Sequence, residues 1–156
     1  MISNDILRRL RYALNFSDQT VIELFRLGGR EVAPAELEGY LKKEEEAGFQ
    51  TCPQDALSCF LEGLILKNRG PREGGPVSGD SGRLTNNLVL KKLRIALELR
   101  EEDMLKVFRL GDFSVSKSEL TALFRKEGHK NYKPCGDQLV KKFLNGLTAL
   151  YRDLPQ

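Results

Sequence analysis

The chain carries two copies of one pattern. Shifted by 83 positions, Asn4 falls on Asn87, and the correspondence runs without a gap to Gly63 on Gly146. About twenty positions are identical, roughly a third of the aligned length. Shared pairs include Leu10 and Leu93, Arg11 and Arg94, Phe25 and Phe108, Gly28 and Gly111, Glu36 and Glu119, and Cys52 and Cys135. The segment FLEGL (Phe60 to Leu64) answers FLNGL (Phe143 to Leu147). Whatever one copy folds into, the other must approximate. The chain therefore reads as a first repeat over 1–69, a second over 87–156, and a connecting stretch over 70–86.

The run NRGPREGGPVSGDSGRLTNN, from Asn68 to Asn87, is rich in Gly, Pro and Ser and almost free of apolar residues. It cannot bury a core and reads as a flexible linker. It lacks the Gly-Lys-Ser/Thr ending of a phosphate-binding loop, and no strand precedes it. The whole chain has 156 residues, of which 40% are hydrophobic, enough to bury a core. A unit of about 65 residues is marginal alone, because small bodies bury a smaller share of their surface. Two such units gain from packing together.

Each copy predicts four helices, and no strong period-two strand interrupts them. The first helix has Ile6, Leu7, Leu10, Ala13 and Leu14 on one stripe, matched by Val89, Leu90, Leu93, Ala96 and Leu97. The second follows Ser17, a good N-cap, with Val21, Ile22, Leu24 and Phe25. Its twin opens on Glu101, Glu102 and Asp103, where negative charge favours the helix dipole. The third has Leu37, Tyr40 and Leu41 against Leu120, Leu123 and Phe124; the fourth has Leu57, Phe60, Leu61 and Leu64 against Val140, Phe143, Leu144 and Leu147. The fold class is all-α: two tandem, similar four-helix lobes joined by a flexible linker.

The duplicated motif FRLGGREV and FRLGDFSV marks a corner between the second and third helices. Gly28 and Gly111 stand where a helix end takes positive φ, which glycine adopts without a Cβ clash. Ser116 and Glu119 form an S-x-x-E capping box for the next helix, and in the first copy Pro34 takes N1 and Glu36 takes N3. Val32 with Leu37, and Val115 with Leu120, have the spacing of a hydrophobic staple. The order helix, loop, Val, Glu, Leu is also that of an EF-hand's second half. The loop is too short for one, and Phe25, Leu27 and Gly29 occupy places that need ligand oxygens.

Other shared residues are candidates for interaction. Gly63 and Gly146 fall inside the fourth helix, where Gly costs about 1 kcal/mol against Ala, so a backbone must approach closely. That backbone belongs either to the same lobe or to the other lobe or a partner. Cys52 and Cys135 precede the fourth helix, whose dipole lowers a thiol pKa there; the competing reading is a small, semi-buried residue. Arg11 and Arg94 flank the first-helix stripe and are expected to pair with Glu44 and Glu127. Arg26 and Arg109 read as solvated.

The function classes are bounded mainly by what is missing. No apolar run approaches the roughly 20 residues that span a bilayer, and charges interrupt the start before any signal-peptide core forms. Three cysteines without a CxxC argue against a disulfide framework and a zinc site, and His129 is the single histidine. There is no nucleophile elbow, HExxH, paired-carboxylate motif or dinucleotide fingerprint, so no catalytic, cofactor or metal residue is nominated. Charge divides the copies: residues 1–69 carry a net charge of −2 and residues 87–156 carry +5. The excess makes Lys91, Lys92, Lys130, Lys133, Lys141 and Lys142 candidates for a nucleic-acid surface. They spread over several helix faces, however, and have few aromatics among them beyond Tyr132.

The segments LRYAL, ELFRLGGREVAPAEL and FLEGLILKNRG, with the lone Cys before the fourth helix, resemble the YehS family of small bacterial proteins. These consist of two copies of a domain of unknown function. The resemblance covers both repeats; the long Gly-rich linker departs from it. It implies a small cytoplasmic bacterial protein and brings no activity or catalytic residue with it. The preferred reading is a soluble cytoplasmic, non-catalytic interaction module for a protein partner, with no cofactor and no membrane. The alternative is nucleic-acid binding through the second repeat. A third, less favoured, is an enzyme or small-ligand site at the lobe interface.

Overall fold

The computed structural model describes residues 1–71 and 83–153, and most of the predicted linker lies outside the described residues. Among the described residues eight α-helices follow one another: α1 (Ser3–Ala13), α2 (Asp18–Leu27), α3 (Pro34–Leu41), α4 (Gln54–Arg69), α5 (Asn86–Ala96), α6 (Glu101–Leu110), α7 (Lys117–Leu123) and α8 (Asp137–Thr148). A π-helical turn, Ala149–Asp153, extends α8. Each helix of the second repeat starts 83 residues after its counterpart, and no strand occurs among the described residues. The fold is all-α, four helices to a repeat, as the apolar periodicity requires.

Helix starts follow the local chemistry. Ser17 Oγ accepts from Thr20 N–H at 3.1 Å. Ser116 Oγ accepts from Glu119 N–H at 3.1 Å, while Glu119 Oε1 accepts from Ser116 N–H at 3.2 Å, completing the capping box. In the first repeat Pro34 opens α3, and Ala33 N–H donates to Glu36 Oε1 at 3.4 Å.

The corner after α2 and α6 differs from expectation by one residue. Gly28 and Gly111 have φ of −82° and −83°, ordinary helical-side values; the positive φ falls next, at Gly29 (96°) and Asp112 (66°). Gly29 N–H bonds to Arg26 O at 2.9 Å and Arg30 N–H to Phe25 O at 2.9 Å, the paired bonds of a Schellman ending, and the second repeat repeats them. Gly28 and Gly111 are glycine for want of space. A Cβ on Gly28 would overlap the Cys59 carbonyl oxygen of α4, and one on Gly63 would overlap that of Leu24 in α2. In the second repeat Gly111 meets Lys142 O and Gly146 meets Val107 O. Each repeat thus crosses its second and fourth helices backbone to backbone, with a glycine of one helix seated on a carbonyl of the other. Beside this crossing the duplicated phenylalanines touch, Phe25 with Phe60 at 5.5 Å and Phe108 with Phe143 at 5.2 Å between ring centroids.

Between repeats the first and fourth helices are exchanged. α1 lies along α8 and α5 lies along α4, whereas α1 with α4 and α5 with α8 meet only at their margins. The four helices thus contact one another in a ring, and one continuous hydrophobic core draws on both repeats. Arginines at equivalent positions make corresponding contacts across the two seams. Arg69 Nη1 donates to Ile95 O at 3.3 Å and lies 3.4 Å from Glu98 Oε1. Its counterpart Arg152 donates from Nη1 to Tyr12 O and to Asn15 Oδ1, both at 3.0 Å.

The connection from α3 to α4 is held by one side chain. Asn4, fully buried, donates from Nδ2 to Tyr40 O (3.0 Å) and Gln50 O (2.7 Å), and its Oδ1 accepts from Cys52 N–H at 2.9 Å. Asn87 does the same to Leu123 O (2.9 Å), Lys133 O (2.8 Å) and Cys135 N–H (2.8 Å). The first aligned pair of the repeat is thus a clamp that satisfies three backbone groups at once.

Two outcomes follow for stability. Gly63→Ala and Gly146→Ala improve helix propensity but force a Cβ onto a backbone carbonyl, so each should destabilise by about 2 kcal/mol or more in urea melts. A gain near the 1 kcal/mol of propensity alone would mean that the crossing relaxes at no cost. Asn4→Ala leaves two carbonyls and an N–H without their partner and should cost about 2–3 kcal/mol; a loss below about 0.5 kcal/mol would remove the clamp from the fold's essentials.

Candidate functional site

The Asn87 clamp fixes the ends of the segment between α7 and α8, and that segment with α5 encloses a cavity of about 260 Å³. Leu88, Leu123, Phe124 and Tyr132 give it apolar and aromatic walls; Lys91, Arg125 and Lys126 give it three cations, against one acid, Glu127. None of the three cations is ion-paired among the described residues. Phe124 is backed by Arg94, whose guanidinium carbon lies 4.9 Å from the ring centroid. The Tyr132 hydroxyl pKa is raised by burial first and by Glu127 second, so the phenol stays protonated and able to donate.

The first repeat treats the equivalent place differently. Leu88 corresponds to Asp5 and Lys91 to Arg8, and there Arg8 Nη2 pairs with Asp5 Oδ1 at 2.7 Å while Nη1 donates to Lys42 O at 3.4 Å. The first repeat neutralises its cation internally. The second leaves it open to an outside anion.

The sequence candidates are scattered by the fold. Arg11 pairs with Asp18 at 2.9 Å and not with Glu44. Arg94 donates to Leu99 O at 3.1 Å and not to Glu127. Arg11 is held instead by Asp18 at the start of the second helix, while Arg94 reaches the end of α7 with its guanidinium over the Phe124 ring. Gly63 and Gly146 are buried in the crossing within their own repeats. Cys52 and Cys135 are buried, and burial pushes both thiols up to about 12, the opposite of the lowering a helix N-terminus suggested. Of the six lysines, Lys91 lines the cavity and Lys92 is in the core, 1% exposed and 2.6 Å from Glu62 Oε1. Lys92 is therefore removed from any nucleic-acid surface. Lys130 is exposed, Lys133 pairs with Glu119 at 3.5 Å, and Lys141 and Lys142 ride on α8. Arg125 and Lys126, which complete the cavity, went unmarked because only the folded connection brings them beside Lys91. His129 sits in an exposed turn, where its Nδ1 accepts from Asn131 N–H at 3.0 Å. Among the described residues no helix is long and apolar enough to cross a membrane.

Comparison with known proteins agrees with the duplicated architecture. The chain is 44% identical over 149 residues to the uncharacterized protein YehS of Escherichia coli strain K12, covering 96% of both chains. No solved structure matches it significantly. The family model for a protein of unknown function designated DUF1456 matches twice in tandem, at residues 3–70 and 86–153, and the chain belongs to that family.

Proposed function

We propose that the protein is a non-catalytic binding module that docks an acidic segment of a protein partner in the cavity between α5 and the α7–α8 connection. The supporting observation is the set of unpaired cations, Lys91, Arg125 and Lys126, over a floor of Leu88, Leu123, Phe124 and Tyr132. A carboxylate would meet the rim while an apolar neighbour in the same peptide fills the floor. A volume near 260 Å³ suits one or two side chains. A nucleic-acid strand would need a track of cations. Here Lys92 is buried, Lys133 is engaged by Glu119, and Glu127 stands at the cavity itself. We place the protein in the cytoplasm, in keeping with three cysteines that are all free thiols.

The full chain should bind a fluorescent acidic peptide carrying one leucine or phenylalanine, and Lys91→Glu should weaken that binding about tenfold or more. Binding of a single strand or a duplex should disappear at physiological salt. Oligonucleotide binding that persists there, with a log–log salt slope of roughly −3 to −4, would put nucleic acid in the partner's place. Peptide binding indifferent to Lys91→Glu would remove the cavity from the interaction.

A further inference from the structure

Lys91 is one of two groups that the second repeat leaves open at the α5 cavity. In the first repeat the connection after α3 carries its own acid: Lys43 N–H donates to Glu46 Oε1 at 2.9 Å. Lys126 and His129 hold the same repeat positions. The backbone around them corresponds. Glu46 N–H bonds to Lys43 O and His129 N–H to Lys126 O, both at 3.0 Å, and Gln50 N–H on Gly39 O is answered by Lys133 N–H on Ala122 O. The side chains differ. His129 Nδ1 accepts from Asn131 N–H at 3.0 Å, and Lys126 N–H has no acceptor among the described residues. A further exchange adds a donor: Phe49 gives way to Tyr132, which brings a hydroxyl to the cavity wall. Asp5 and Glu46, the carboxylates that serve Arg8 and Lys43 N–H, are thus both missing from the second repeat, and the residues that lost them, Lys91 and Lys126, line one cavity.

We propose that this cavity receives the C-terminal residue of the partner chain, an apolar one, with its free α-carboxylate on Lys126 N–H and Lys91. The proposal rests on the reading of the cavity as the docking site of an acidic segment, and it names the group that enters. A carboxylate in that place does for Lys126 N–H what Glu46 does for Lys43 N–H. Hydrogen bonds to an ionised group are roughly twice as strong as neutral ones, and backbone N–H groups are a recurring means of holding a chain end. The apolar floor favours an end over an internal acid. In an extended peptide neighbouring side chains point to opposite sides, and next-but-one side chains stand about 7 Å apart. Two such residues enter one small cavity less readily than a single residue bearing both groups, and a terminal residue carries its carboxylate and its side chain on one Cα. Leu88, Leu123 and Phe124 receive that side chain within about 260 Å³, and the exposed Arg125 adds positive potential. Glu127, the one acid at the cavity, is matched by Glu44 in the first repeat and is no part of the difference.

The test uses the full chain and a fluorescent acidic peptide ending on leucine, offered with a free C-terminal carboxylate and as its C-terminal amide. The free acid should bind about tenfold or more tightly than the amide, and should shift the Lys126 amide signal saturably in NMR. His129→Glu puts back the carboxylate of the first repeat and should remove most of the preference for acid over amide. His129 is exposed, so the substitution leaves the core untouched. Acid and amide bound alike, with Lys91→Glu weakening both, would overturn the terminal carboxylate and keep the acidic segment. Neither peptide bound, or both indifferent to Lys91→Glu, would overturn both readings. A preference undiminished in His129→Glu would overturn the placement on Lys126 N–H.

Discussion

The packing of each repeat's first helix against the other repeat's fourth helix is the contact on which the molecule depends. α1 carries a stripe of Ile6, Leu7, Leu10 and Ala13, all buried, and its most extensive interhelical packing is with α8 of the other copy. α5 offers Val89, Leu90, Leu93 and Ala96 to α4 in the same manner. A single repeat would leave both its first and fourth helices with exposed apolar faces. Small units bury too little surface to stand alone, and exchange between copies is a way round that limit. The glycine crossings serve this arrangement. By drawing α2 onto α4 and α6 onto α8 at backbone distance, they leave the far sides of α4 and α8 free for the seams.

Once two copies share a core, their differences become the places to look for function. Framework positions repeat: the Asn4 and Asn87 clamps, the paired phenylalanines, and Arg69 and Arg152 at the seam ends. Departures fall together around charge. Asp5 gives way to Leu88, which leaves Lys91 without the carboxylate that holds Arg8. Glu62 gives way to Asn145, which leaves Arg9 with an amide. The cavity beside α5 lies where one copy balances a cation internally and the other does not.

Much of this was legible in the sequence, and what was not has physical reasons. Apolar periodicity located all the helices but α6, which its acidic first turn and its twin marked, and the Ser116–Glu119 box and Pro34 announced their starts, because these are local interactions between residues a turn apart. Gly28 was marked for the wrong reason: a chain position near a helix end does not distinguish a glycine needed for φ from one needed for space, and the crossing that decides it comes from Cys59. Lys91 and Lys92 are adjacent in sequence but roughly 100° apart around a helix, so one reaches a cavity and the other the core. Arg69 and Arg152 lie past the aligned run, and only the seams reveal their equivalence. The cationic cavity joins Lys91 of a helix to Arg125 and Lys126 of a connection, a proximity without any spacing signature.

The shared core is tested most directly by native-state hydrogen exchange on Phe108→Ala. Phe108 packs on Phe143 within the second repeat, and its truncation should cost about 3–5 kcal/mol. If the exchanged helices make the two repeats one cooperative body, the slowest amides of α2 in the first repeat should lose protection by the same free energy as those of α8 in the second. Amides of α2 that keep their parental protection while α6 and α8 exchange faster would mean that each repeat holds itself together.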